Sequence, residues 1–287
     1  MKFGFIATSG TAEQVIHLAE EVEANGWDGF FHWDGIGGGS YEADVFDPWA
    51  ILAAVAVKTE RVTLGAIIFP LSRRRPWKVA REALTIDHLS HGRLVIPVGL
   101  GAVDDGGFSK VHPEATDRRE RAERLDETLE ILEKAWSGES FTYQGKHYQL
   151  DDIRFIPRSV QQPRIPIWCV GSWPRPKSMA RAARWDGILP SLYDNPFGGL
   201  KADDVSAVRN WIVGQRGSKD NFDIVLEGVS PANDPEWIEN TLRPVANAGA
   251  TWWIESRWEA PNDYETLLDR VRQGPPRLQV LSANVPE

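Results

Sequence analysis

The chain has 287 residues, 42% hydrophobic and 25% charged, an ordinary balance for a globular protein with a large core. Its net charge of −9 argues against a general nucleic-acid-binding face, and its single cysteine excludes an internal disulfide and a cysteine-cluster metal site. No apolar run approaches a membrane span and no signal peptide precedes the first strand, so a cytoplasmic protein with no membrane partner is expected.

Strand and helix patterns alternate along the whole chain. Residues 3–7 read as a first strand. A helix starts near Ala12, with Thr11 and Gln14 spaced as a capping box; Val15, Leu18, Ala19 and Val22 lie on one face, and Asn25-Gly26 stops it. Residues 29–33 form a second strand ending at Asp34. Asp47-Pro48 is an N-cap followed by proline at the first helical position, and the helix behind it, 49–57, is apolar all round. A third strand spans 62–69, a third helix 76–89, a fourth strand 93–98 and a long helix 116–136. The stretch 137–163 is an insertion with a small hairpin around Gln144-Gly145. Strands then recur at 165–170, 187–190, 222–228 and 251–255, with helical patterns at 202–213, 235–248 and 264–271.

Eight strand-then-helix units in a chain of this length predict one (β/α)8 TIM barrel over 1–287, with the insertion between the fourth helix and the fifth strand. A doubly wound sheet is the alternative. Its dinucleotide fingerprint is missing after the first strand, where Ala7-Thr8-Ser9-Gly10 stands, and Gly99-Leu100-Gly101 lacks the third glycine.

The segment after the fifth strand carries the clearest chemistry. Gly171-Ser172 turns the chain, and Pro174 and Pro176 bracket a helix start. Backbone N–H groups and the positive helix end then point out of a strand's C-terminal edge, which suits a phosphate. Arg175 and Lys177 add charge and Ser172 a hydroxyl. An ordinary strand-to-helix turn with solvated basic residues reads equally from this segment alone.

Other titratable residues are individually weaker. His32 and Asp34 share a face of the second strand, which is the barrel interior if the alternation falls that way. His32 reads equally as a packed strand histidine, and Asp34 as a turn residue before Gly35. His112 lies in the loop after the fourth strand and is a candidate proton donor. His88 and His91 have a chelating spacing but read as helix-end residues, so no metal site is expected. Arg73-Arg74-Arg75 is a basic run at the barrel top.

Ordered motifs over roughly 2–192 resemble the luciferase-like oxidoreductases, the superfamily of bacterial luciferase, flavin-dependent monooxygenases and deazaflavin (F420)-dependent enzymes. They are Gly26-Trp27-Asp28-Gly29-Phe30-Phe31, Thr59-Glu60-Arg61-Val62-Thr63-Leu64-Gly65, Leu89-Ser90-His91-Gly92-Arg93-Leu94, Trp136-Ser137-Gly138, Gly145-Lys146-His147-Tyr148 and Gly171-Ser172, closed by Asp186-Gly187. The resemblance implies that Gly171, Ser172 and Trp173 hold a flavin phosphate, with Arg175 as a further candidate. It places the ring system of FMN or F420 near Ala7, Ile67, Ile68, Gly99 and Gly101, with a non-prolyl cis peptide expected at the third strand end. Many F420-dependent dehydrogenases carry Asp-His at the second strand end. Here Asp34-Gly35 stands, so Asp34, His32 and His112 remain the catalytic candidates.

The expected function is monooxygenation or hydride transfer on a small organic substrate, with a separate flavin or F420 reductase as one source of electrons. The rival is a non-catalytic flavin- or ligand-binding barrel. A homodimer through helices 48–57 and 76–89 is expected, because the first of these has no polar face to show to water.

Overall fold

The computed structural model describes residues 1–37, 44–103, 105–196, 198–218 and 221–278. In chain order the elements are β1 (Lys2–Ile6), α1 (Ala12–Ala24), β2 (Gly29–His32), α2 (Pro48–Lys58), β3 (Thr63–Ala66), α3 (Pro76–Leu89), β4 (Ile96–Val98) and α4 (Arg118–Trp136). A hairpin of β5 (Phe141–Gln144) and β6 (Gln149–Ile153) follows, then β7 (Ile167–Trp173), α5 (Pro176–Ala183), β8 (Gly187–Leu192), α6 (Ala202–Arg216) and β9 (Asp223–Gly228). The chain closes with α7 (Pro235–Trp237), α8 (Arg243–Ala248), β10 (Trp252–Glu255) and α9 (Tyr264–Arg272).

Eight strands pair in parallel in the order β3-β2-β1-β10-β9-β8-β7-β4. Single bridges Leu64–Leu94 and Phe69–Val98 join β3 to β4 and complete the (β/α)8 barrel. The hairpin stands apart from the barrel sheet. Glu127 of α4 accepts hydrogen bonds from the backbone N–H groups of Lys146, His147 and Tyr148, which pins the hairpin turn to that helix.

Local chemistry explains the helix starts. Thr11 and Gln14 form the reciprocal capping box of α1, and Asp47 accepts from the N–H groups of Trp49 and Ala50 at the start of α2. The barrel interior is a layer drawn from the strands and their ends, including Ile6, Phe31, Ile67, Trp168, Val225, Trp252 and Ile254. Phe31, Trp168 and Trp252 meet with ring centroids 5.4–6.1 Å apart. Glycines make the room: a Cβ on Gly4 would lie 2.6 Å from the Phe31 ring, and one on Gly187 2.5 Å from Trp168. These three rings fill the barrel interior, and the C-terminal strand ends beyond them make up its mouth.

One turn lies elsewhere than expected. Gly171-Ser172 does not turn the chain. β7 continues to Trp173, because Gly171, Ser172 and Trp173 stay in register with Pro190, Ser191 and Leu192 of β8. The turn falls at Pro174 and Arg175, and α5 starts with Pro176. Gly171 serves packing: a Cβ there would lie 2.5 Å from Ile188 Cδ1 and 3.1 Å from the Met179 sulfur of α5.

Candidate active site

Phe31 belongs to the inner layer, so alternation turns His32 and Asp34 to the outer face of β2, away from the barrel interior. His32 is buried. Its Nδ1 lies 3.2 Å from the carbonyl oxygen of Ala7, and its Nε2 has no partner among the described residues. Burial holds its pKa down at about 4, against the pull of the Ala7 bond and of Asp34, so the ring is neutral at physiological pH. Ala7 itself is fully buried, with its N–H bonded to Phe31 O at 2.9 Å.

Asp34 is also buried, and two arginines occupy its carboxylate. Oδ1 accepts from Arg73 Nη2 at 3.0 Å and Arg74 Nη2 at 2.8 Å, and Oδ2 accepts from Arg74 Nε at 2.9 Å. The basic run at the barrel top is therefore half interior, with Arg73 and Arg74 turned in and Arg75 exposed. Burial works against the charge on Arg74, but Asp34 and Asp47 outweigh it and its pKa rises. His112 is exposed in the turn before Pro113. Asp34 lies close enough to act on His32, whereas His112 is on an exposed loop and shares no described contact with either.

The strand ends at the mouth divide into an apolar floor and a polar side. Ile67 and Ile68 are joined by a non-prolyl cis peptide and pack with Val170 on the inner layer. A Cβ on Gly99 would lie 2.3 Å from Ile68 Cδ1 and 3.0 Å from Val170 Cγ2, so a side chain there would shift that floor. Gly101 adopts φ +69°, and Arg121 holds the carbonyls of Leu100 and Gly101 at 3.0 and 2.8 Å.

Across the mouth, Ser172 shares the face of Trp168 and Val170, and no described residue bonds its hydroxyl. Its backbone N–H donates to Ser178 Oγ at 3.1 Å, which ties the strand end to α5. Two prolines remove N–H groups near the helix start and no side chain caps it, so the N–H groups of Lys177 and Ser178 have no described partner. Arg175 lies 3.4 Å above the Tyr193 ring, beside this cradle.

A residue that the sequence reading passed over completes the mouth. Glu227, next to last in β9, lies on the face of Val225 and opposite Ile254, both inner-layer residues. Glu227 is solvent-exposed at this strand end. Loss of hydration among the surrounding residues raises its pKa to about 7, with the Trp258 indole pulling the other way. Trp258 packs edge-on against Trp33, with centroids 6.2 Å apart. Glu255 on β10 faces outward and is bound by Ser230, Arg257 and Arg270. The signal was present in the sequence: Ile224-Val225-Leu226-Glu227-Gly228 is an apolar strand ending in an acid before glycine, the pattern that drew notice to Asp34-Gly35.

A profile of the family described as luciferase-like monooxygenase matches residues 1–207. The chain belongs to this family. Among its relatives, an F420-dependent glucose-6-phosphate dehydrogenase of Nakamurella multipartita is 26% identical over 95% of this chain and 86% of that one. An FMNH2-dependent dimethylsulfone monooxygenase of Pseudomonas putida is 27% identical over 87% of this chain and 73% of that one. Against several other relatives of the first name, the match spans less than half of their length. The fold superposes on the coenzyme F420-dependent tetrahydromethanopterin reductase of Methanopyrus kandleri with a TM-score of 0.71 and 18% identity, covering 96% of this chain and 98% of that one. The luciferase-like match ends within α6, so Glu227 and Trp258 lie beyond it.

Proposed function

We propose that this luciferase-like barrel is an oxidoreductase that seats reduced FMN or F420 over its mouth and acts on a small organic substrate. The observation that carries the reading is the cradle at the end of β7. It combines the unbonded Ser172 hydroxyl, the unpartnered N–H groups of Lys177 and Ser178, and the cations of Arg175 and Lys177. These groups fit a phosphate. The apolar floor of Ile67, Ile68 and Val170, with Gly99 and Gly101 at a neighbouring strand end, fits a flat ring system, and the fully buried Ala7 would back the first strand end without touching the ring. Gly171 and Trp173 would shape the cradle through the backbone. When bound, such a cofactor supplies two-electron chemistry, and the chain's own residues hold it, exclude water from one face and admit substrate at the other.

The relatives named for F420 and for FMNH2 support the same cofactor pair without choosing between them. A separate reductase would supply electrons in the FMN case. His32, neutral and turned outward, and Asp34, neutralised by two arginines, fit the reading as supports of the second strand end, and His112 as a loop residue at the barrel top. The buried free thiol of Cys169 suits a reducing, cytoplasmic compartment, and among the described residues no helix is long and apolar enough to cross a membrane. A homodimer through the outer face of α2 belongs to the same reading.

The test is a fluorescence titration of the purified protein with FMN and F420, oxidised and reduced. A preference above about tenfold, or 1.4 kcal/mol, selects the cofactor. Ser172→Ala should weaken the selected cofactor by about 1.5–3 kcal/mol through loss of a charge-assisted bond. Absence of binding by either cofactor refutes the proposal.

A further inference from the structure

Three carboxylates close apolar strands at the mouth end of the barrel, and their partners differ. Asp34, two residues past the end of β2, is held by Arg73 and Arg74. Glu255 on β10 is held by Arg257 and Arg270. Both point outward, into the layer between strands and helices. Glu227 on β9 points inward, and no cation among the described residues pairs with it. The indole N–H of Trp258 is the one group that pulls its pKa down, and it does so without neutralising a carboxylate. The charged groups on the elements packed against β9 are committed elsewhere: Glu255 and Arg257 to each other and to Ser230, and Asp223, at the far end of β9, to Thr251.

We propose that Glu227 is the residue that exchanges a proton with the substrate at the barrel mouth. This rests on the reading of the mouth as a flavin or deazaflavin site, and it supplies the acid–base group that Asp34-Gly35 does not. In the reductive direction the Glu227 O–H bond breaks and the proton passes to a substrate oxygen or nitrogen. The hydride, with its electron pair, comes from the reduced flavin or deazaflavin. The carboxylate left behind recovers its proton from water at the open mouth. In the oxidative direction Glu227 accepts the proton as the hydride leaves. A carboxyl that titrates near neutrality is suited to both roles, because each protonation state is populated at the working pH.

Three measurements test this. The first uses the protein without cofactor: tryptophan fluorescence is followed from pH 5 to 9 in wild type, Glu227→Gln and Trp258→Phe. Wild type should show a transition centred near 7 that both variants lack. A transition that survives in Glu227→Gln overturns the assignment of the titrating group. The second is calorimetry of cofactor binding near pH 7.5 in two buffers of different ionisation enthalpy. A seated ring removes water from Glu227 and favours its neutral form, so wild type should take up a proton and Glu227→Gln none. Equal uptake by both overturns the proposal. If wild type binds neither FMN nor F420, the cofactor reading fails and this inference with it. If Glu227→Gln binds like wild type, the reading stands and only the proton role is at issue. The third, with a substrate that wild type turns over, expects kcat to fall about a hundredfold or more at unchanged KM. An unchanged kcat overturns the proposal, and unchanged thermal unfolding of Glu227→Gln shows that the fold is intact.

Discussion

The second strand end shows how a buried charge and a buried neutral base can be structural. Asp34 neutralises Arg73, whose side chain is 5% exposed, and shares Arg74 with Asp47. Asp34→Asn leaves a buried guanidinium without its counter-charge, a change that costs about 3–5 kcal/mol. Urea unfolding at pH 7 should show that loss, while cofactor affinity per folded molecule should hold. Undiminished stability with lost affinity would instead make Asp34 a ligand-binding residue. His32 is neutral in the fold because burial holds its pKa at about 4. The unfolded chain binds a proton between about pH 6.5 and 4 that the fold does not. Stability is therefore complete above 6.5 and falls with acid through that window, by about 3 kcal/mol from this residue. The difference between wild type and His32→Asn in unfolding free energy against pH isolates it. A flat difference across that window would show that His32 protonates in the folded state.

At the scale of elements, the strand–helix alternation was legible because each period announces itself. Thr11 and Gln14, and Asp47 with Pro48, mark helix starts through short-range bonds that any sequence reader can place. The bounds of α3 were legible for the same reason, from Pro76 to Leu89. What was not legible depended on contacts between distant segments. Gly171-Ser172 has turn chemistry, yet the ladder to β8 carries it on as strand. The inward or outward facing of His32, Asp34 and Glu227 turns on one residue of register, which the inner layer fixes through Phe31 and Val225. Gly171 offers a test at this scale. Gly171→Ala drives a methyl against Ile188 and Met179 and should cost about 1–3 kcal/mol by overpacking. It should also weaken cofactor binding, because α5 carries the Lys177 and Ser178 N–H groups. A melting temperature and a cofactor affinity both equal to wild type would show that α5 gives way freely and that the cradle does not depend on its seat.

For the whole molecule, the open question is what lies against α2. Its inner stripe of Trp49, Ile51, Leu52, Val55 and Ala56 is buried on the barrel. Its outer stripe is Ala50, Ala53, Ala54 and Val57, with Val57 62% exposed. Two covers are available for this stripe, the insertion 137–163 or a second subunit. The insertion is committed to α3 and α4. Asp87 accepts from the N–H of Val160 at 2.7 Å, His88 Nε2 lies 2.8 Å from the carbonyl of Arg158, Arg81 donates to the carbonyl of Ile156, and Glu127 anchors the hairpin. Arg81 and His88 of α3 are thereby engaged, so the interface expected from 76–89 narrows to its C-terminal end. There Leu89, 39% exposed, borders a groove with Ala56 and Val57. Small residues on α2 would let a two-fold copy of the same helix approach closely, and Val57 and Leu89 would be the apolar contacts at its edge. Light scattering at micromolar concentration should give twice the 32.2 kDa chain mass. Val57→Glu, which places a charge on that stripe without touching the barrel core, should halve it with thermal unfolding of the monomer retained. A wild-type mass of one chain at every concentration would leave the stripe as plain alanine surface and refute the dimer.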